Sequence, residues 1–435
     1  MDATLNPESL ADEDLGATAG LAERLTALRW EDVTPEAATV AKQCLLDWIG
    51  VSLAGRGEPL VRILLEEFAG GGEASIVGSV RRAPLHEAVL INGAQGHALD
   101  FDDVITAMGH PTVPVAPVAI GLAESLGASG RDALLAFIAG VETECRVGLL
   151  LGPSHYAKGW HGTATYGTFG AMAAAARLMN LNGEQTLHAF GLAGTQAAGL
   201  KSVFGTMSKP LHAGKAAQNG LLAARLAGRG FTSDTAILDS EQGFAEVQST
   251  TVDRAAALAE HPLGFHVVDA LFKYHAACYL THDTIEAVTA LRKAHDLHAA
   301  QVEAIAVHVR PPHMGVCNIQ ELRTGLECKF SLRMTAALAL AGEDTFQDGL
   351  FTDETANRAD LVALRRRVGV TPDAQGRGSL VEIHLKDGRT LREQVDVARP
   401  MRDLAAQQTL IERKFRHLAE PSVGAGASIR SCVRG

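Results

Sequence analysis

The side chains able to do chemistry cluster in four short segments, each mixing histidine, aspartate or lysine with glycine and proline where a helix would start. The first is NGAQGHALDFDD (92–103), which holds His97, Asp100, Asp102 and Asp103. Three carboxylates within four residues repel one another, so a folded chain needs a reason to hold them together. On a continuous helix His97 and Asp100 would share a face; a solvated acidic turn, or an aspartate cap on the next helix, is the other reading. The second segment is HPTVP (110–114), where Pro111 biases His110 toward extended backbone and the prolines suit a helix start. The third, GWHGTATYG (159–167), sets His161 ahead of a long Ala/Gly-rich helix that carries Tyr166. In the fourth, GTMSKPLHAGK (205–215), Lys209 stands directly before a proline that opens a helix bearing His212 and Lys215, with Lys201 just upstream.

Helix N-termini present unpaired N–H groups and partial positive charge, so they attract carboxylates. The same field keeps a nearby histidine neutral and able to act as a base. A lysine there is unusual, and Lys209 implies an anion between its ammonium and the helix. Taken singly, each histidine is more often structural; together they indicate a site for a small carboxylate without naming a reaction. Two rivals stay open. His97, Asp100, Asp102, Asp103 and His110 are hard ligands that would suit a metal-dependent hydrolase. A carboxylate-binding protein without turnover would use the same groups.

The elements that must position these residues are mostly helices. Thr34-Pro35 reads as an N-cap followed by proline at the first helical position, with Gly55 ending the run. Further Ala-rich helices are expected over 85–98, 114–127, 131–151, 162–180, 184–200 and 210–228. Near residue 265 the pattern changes. Ile305, Val307 and Val309 alternate at strand period, and 380–386 and 390–397 flank Asp387-Gly388 as a hairpin. Helices are expected at 330–341, 355–367 and 401–419, and the Gly/Ala/Ser-rich tail from Glu420 is expected to be mobile. The fold class is therefore mainly α: a large helical domain from 1–269 and 400–435, with a smaller α/β domain over 270–399.

The chain has 435 residues, 47% of them hydrophobic, and a net charge of −11, which argues against nucleic acid or anionic membrane as partner. Six scattered cysteines without a C-x-x-C pair read as free thiols of a reducing compartment. Met1–Leu15 lacks the basic and apolar regions of a signal peptide, so the expected location is cytoplasmic.

In order and spacing, "LLDWIGVSLAG" (45–55), "NGAQGHALDFDD" (92–103), "GWHGTATYGTFGA" (159–171), "MSKPLHAGKAAQNG" (207–220) and "KYHAACYLTH" (273–282) resemble the MmgE/PrpD family. Its members include 2-methylcitrate dehydratase, cis-aconitate decarboxylase and iminodisuccinate epimerase. The resemblance implies a helical domain built from both chain ends, an α/β lid, an active site between them, a homodimer, and no metal or organic cofactor. It implies Asp100, His110, His161 and Lys209 as site residues; beside them, His97, Tyr166, Lys201, His212, Cys278 and His282 are secondary, substrate-binding candidates. Two positions depart from the decarboxylase pattern: Val104 replaces a threonine and Cys278 a catalytic histidine. The leading expectation is a hydro-lyase acting on a hydroxy-polycarboxylate, with epimerisation or decarboxylation as alternatives. In that reading Lys209 holds a carboxylate, His161 is the base, His110 the acid, and Asp100 orients a histidine. His282, four residues past Cys278, could share its helical face, and core packing would explain both residues equally well.

Overall fold

Thr34 caps the first long helix as its type suggests: its hydroxyl accepts the Ala37 N–H at 3.2 Å, and Pro35 takes the first helical position. The computed structural model describes residues 16–68 and 70–423. Its first nine helices are α1 (Ala17–Ala27), α2 (Pro35–Gly55), α3 (Pro59–Phe68), α4 (Leu85–Gly96), α5 (Thr112–Leu126), α6 (Gly130–Ala157), α7 (Gly162–Leu178), α8 (Gly183–Gly194) and α9 (Ser208–Ala227). Reciprocal capping boxes start two of them, Ser129 with Asp132 on α6 and Asn182 with Gln185 on α8. α6 runs on past the expected end but kinks at Gly152, which has φ 58° and precedes Pro153. α8 stops at Gly194, short of the expected 200, and the chain beyond it folds back so that Leu200 bridges to Trp160.

α7 is the hub of this part of the chain, buried along almost its whole length and packed against α5, α6, α8 and α9. Small residues permit that density. Where α4 crosses α9, a Cβ on Gly93 would lie 2.8 Å from Gly214 Cα, and one on Gly214 would lie 2.2 Å from the Leu90 carbonyl oxygen. Only glycine fits on either side of that crossing.

The chain divides into two compact units, one reaching to Ala270 and resuming at Leu418, the other Leu271–His417. The second holds a four-stranded sheet of β1 (Val302–Val309), β2 (Val368–Pro372), β3 (Ser379–Leu385) and β4 (Thr390–Val395), in the order β2-β1-β3-β4. β1 pairs in parallel with β2 and antiparallel with β3; β3 and β4 form the hairpin expected around Asp387-Gly388. Along β3, Ser379, Val381, Ile383 and Leu385 are buried in alternation. Helix α10 (His282–Ala294) covers β3 and β4 and packs on α11 (Leu332–Ala341); α12 (Ala359–Arg365) follows, then α13 (Leu404–Val423). α13 carries Glu420–Val423 in helical backbone where a mobile tail was expected; the rest of that tail, like Met1–Leu15, lies outside the described residues. Among the described residues, no helix is long and apolar enough to cross a membrane.

Candidate functional site

α4 ends at Gly96, and the chain then turns through His97 to Asp100, whose φ of 50° takes the backbone out of helical phase. The expected face shared by His97 and Asp100 is therefore absent. His97 instead meets Asp102: its Nδ1 is 2.8 Å from Oδ1, with both side chains fully buried. The other carboxylate oxygen, Oδ2, stands 2.8 Å from His110 Nδ1 but off the line of an ideal N–H bond, so this contact is chiefly one of charge. Asp102 thus lies between two imidazoles whose centroids are 4.5 Å apart. On its far side, His110 Nε2 is 3.4 Å from Asp100 Oδ1. The same oxygen accepts a hydrogen bond of 2.8 Å from Lys209 Nζ, in the first turn of α9. Asp100 is thus an anionic partner of Lys209 within the chain itself.

His161 caps the start of α7, its ring 6.3 Å from that of His97 and its Nδ1 3.0 Å from His212 Nδ1 on α9. Phe204 stands edge-on to His161 at 4.9 Å, with Lys209 Nζ 5.7 Å from its centroid. The segments around 97–110, 161 and 209–212 therefore converge on one cluster.

The electrostatics follow from burial. Burial alone would raise Asp102, but His97 and His110 outweigh it and hold the carboxyl well below its usual range. Burial lowers His97 to about 4 against the opposing pull of Asp102, so at neutral pH its Nδ1 donates to Asp102 and its Nε2 is a bare acceptor. That Nε2 is buried and has no hydrogen-bond partner, a deficit of the kind found at functional sites. His161 is driven far down by burial, then by His97, Lys209, His110 and His212; His212 is lowered by burial and then by Lys209. The cluster sets Lys209 beside the imidazoles of His97, His161 and His212, all three lowered chiefly by burial.

Behind it lies a second layer of acid. Asp103 turns away from Asp102 and accepts the Thr112 hydroxyl at 2.8 Å. Burial, then Asp47, raises its carboxyl to about 7; burial, then Asp103, raises Glu144 well above its usual value. An acid raised by folding contributes stability at low pH that is lost as pH climbs through its folded-state value. Wild-type unfolding free energy should therefore fall relative to an Asp103→Asn variant between about pH 4 and pH 7, by on the order of 1 kcal/mol per pH unit, and level off above. Urea melts at several pH values test this, and parallel profiles would refute it.

The remaining candidates sit apart from these contacts. Tyr166 is buried with its ring 4.8 Å from that of His155. Lys201 Nζ donates to the Tyr156 carbonyl at 2.7 Å and caps that ring. Cys278 and His282 belong to the second unit and do not share a helical face, because Cys278 precedes a 3-10 turn and the helix starts only at His282. The free Cys278 and Cys317 thiols share a hydrogen bond, and His282 Nε2 is 3.2 Å from the Ala277 carbonyl oxygen.

Phe204 had not been expected as a site residue, and Asp102 only as a ligand in the metal-dependent reading. The apolar Phe101 inside the acidic run was the available signal for Asp102: Phe101, Asp102 and Asp103 are all buried, while Asp100 is partly exposed. His97, Asp100, Asp102 and His110 also offer ligand atoms within 4.8 Å of one another, a spacing that would admit a metal ion. Lys209 already supplies a cation to Asp100 there.

A family model described as the MmgE/PrpD N-terminal domain matches residues 19–255, and one described as the MmgE/PrpD C-terminal domain matches 275–434. The chain is 27% identical to a cis-aconitate decarboxylase of Homo sapiens over 92% of its own length and 87% of the relative's. It is 26% identical to a cis-aconitate decarboxylase of Aspergillus terreus over 93% and 89% of the two chains. A cis-aconitate decarboxylase-like protein of Aspergillus oryzae is 30% identical over 63% of this chain and 61% of that one.

Proposed function

The chain belongs to the MmgE/PrpD family and is a lyase, and from that premise we propose that it dehydrates a small hydroxy-polycarboxylate by removing a proton next to a carboxylate. The observation that carries this reading is the cluster itself: Lys209 as a fixed cation beside imidazoles that burial keeps neutral. An α-proton is weakly acidic, and the electron pair left behind must be stabilised by positive charge placed in advance. Lys209 holds the carboxylate on which that charge accumulates. His161 takes the proton, the carbon–carbon double bond forms, and the β-hydroxyl leaves with a proton from His110, as water. Asp102 keeps His97 and His110 in place. Burial is the main cause of the lowering of His161; an incoming polyanion opposes the part due to Lys209 and to that extent makes this residue a stronger base.

Decarboxylation is the second reading, favoured by what the relatives are named for; it passes through the same carbanion. Val104 and Cys278 stand where the decarboxylase pattern carries threonine and histidine, and that favours dehydration. Proton NMR in D2O with hydroxy-tricarboxylates, unsaturated acids and amino-dicarboxylates separates the outcomes. Loss of water supports the proposal; loss of carbon dioxide, or inversion without loss, replaces it by decarboxylation or epimerisation. Turnover is expected to survive dialysis against EDTA unchanged. Activity lost to EDTA and restored by a divalent ion would instead make His97, Asp100, Asp102 and His110 a metal site.

A further inference from the structure

His161 and His212 meet nitrogen to nitrogen, Nδ1 to Nδ1 at 3.0 Å, with their ring planes at 46°. Two neutral imidazoles make this contact only when one carries its proton on Nδ1 and the other does not. Their tautomers are therefore complementary and must change together. Gly199 makes room for the pair: a Cβ there would lie 2.3 Å from Ala164 Cβ and 3.2 Å from His212 Nδ1, while its carbonyl accepts the His161 N–H at 2.9 Å.

The two rings differ in surroundings. His161 is buried at 4% exposure and faces His97, His110 and Lys209; His212 is half-buried, and Lys209 is the charged neighbour that acts on it. Nε2 of His212 makes no hydrogen bond to the described residues. A proton arriving on His161 is thus better accommodated one ring outward.

Taking His161 as the base proposed above, we infer that His212 is its outlet, carrying the substrate-derived proton from the buried ring to solvent. In the resting pair, His161 donates Nδ1–H to His212 Nδ1 and keeps a free lone pair on Nε2. When Nε2 takes the substrate proton, the Nδ1 proton crosses to His212, which then releases its own Nε2 proton to water. One proton enters, one leaves, and both rings end neutral with their tautomers exchanged. His161 now bears Nε2–H and can act as an acid, and the reverse sequence resets it. His212 acts through His161 and is a positioning and relay residue.

NMR of the whole, ligand-free protein labelled with 15N-histidine reads the resting state, with His161→Gln and His212→Asn supplying the assignments. The expected result is one Nδ1–H tautomer and one Nε2–H tautomer sharing a single N–H···N proton. Two like tautomers, or no shared proton, would overturn the relay. The second readout uses 2-methylcitrate and cis-aconitate in D2O. Asparagine at 212 can hold the hydrogen bond but cannot pass a proton on. Solvent exchange per turnover should therefore fall about tenfold or more in His212→Asn, because the abstracted proton is returned to the substrate. An unchanged ratio would reduce His212 to a packing role and overturn the inference. If neither acid turns over, the lyase reading fails for these substrates and the tautomer result alone decides for or against the pair.

Discussion

Asp102→Asn is expected to lower kcat by about 10²- to 10⁴-fold while the protein stays folded. The carboxylate accepts from His97 Nδ1 and attracts His110 Nδ1, each at 2.8 Å. An asparagine offers one acceptor oxygen and one NH₂ donor, so only one of the two imidazoles can keep a proton on Nδ1 facing it. The other must turn or move its proton to Nε2, which changes what it presents to the substrate. The substitution removes a buried charge at nearly constant volume, so circular dichroism and the thermal midpoint should change little. Steady-state kinetics on the variant decide the matter. A rate within about threefold of wild type would make Asp102 a packing residue and leave the histidines without an orienting group.

Lys209→Ala has the second large effect. A fixed donor to developing negative charge is worth about 10²- to 10³-fold, and that loss should appear in kcat/KM. A pH signature should accompany it. Lys209 is among the causes that lower both His161 and His212, so its removal raises both. The acidic limb, on which His161 must lose its proton to act as base, should move to higher pH in the variant. Lys209→Met, which keeps most of the side-chain volume, should behave like the alanine variant; rescue by methionine would mean that Lys209 acts by filling space.

Much of this architecture was legible in the sequence because local chemistry and tertiary packing agree. Thr34-Pro35, Asp387-Gly388 and the long Ala/Gly-rich runs each have one cheap conformation, and the protein adopts it. β2 was missed because five residues ending in Pro372 are too few to establish a period, and an edge strand tolerates that proline. At the site, the segments that converge were visible, but their pairing was not. Helical spacing predicted His97 with Asp100, and the left-handed backbone of Asp100 breaks that phase and brings Asp102 inward instead. Tyr166 and Lys201 are similar cases. Each finds a local partner, a tilted imidazole ring or a backbone carbonyl, that residue type alone does not reveal.

The glycine crossing of α4 and α9 ties this chemistry to mutational tolerance. Gly93 lies four positions before His97, and Gly214 lies two past His212 and five past Lys209, so the two helices that touch there carry opposite sides of the cluster. A methyl group added at either glycine cannot be absorbed by a side-chain rotation, because the atoms it meets are backbone. The helices must part, and a separation of a few tenths of an ångström at the crossing reaches the histidines and the lysine undiminished. This seam should therefore be among the stretches of the protein least able to drift in sequence, although none of its own atoms takes part in the reaction.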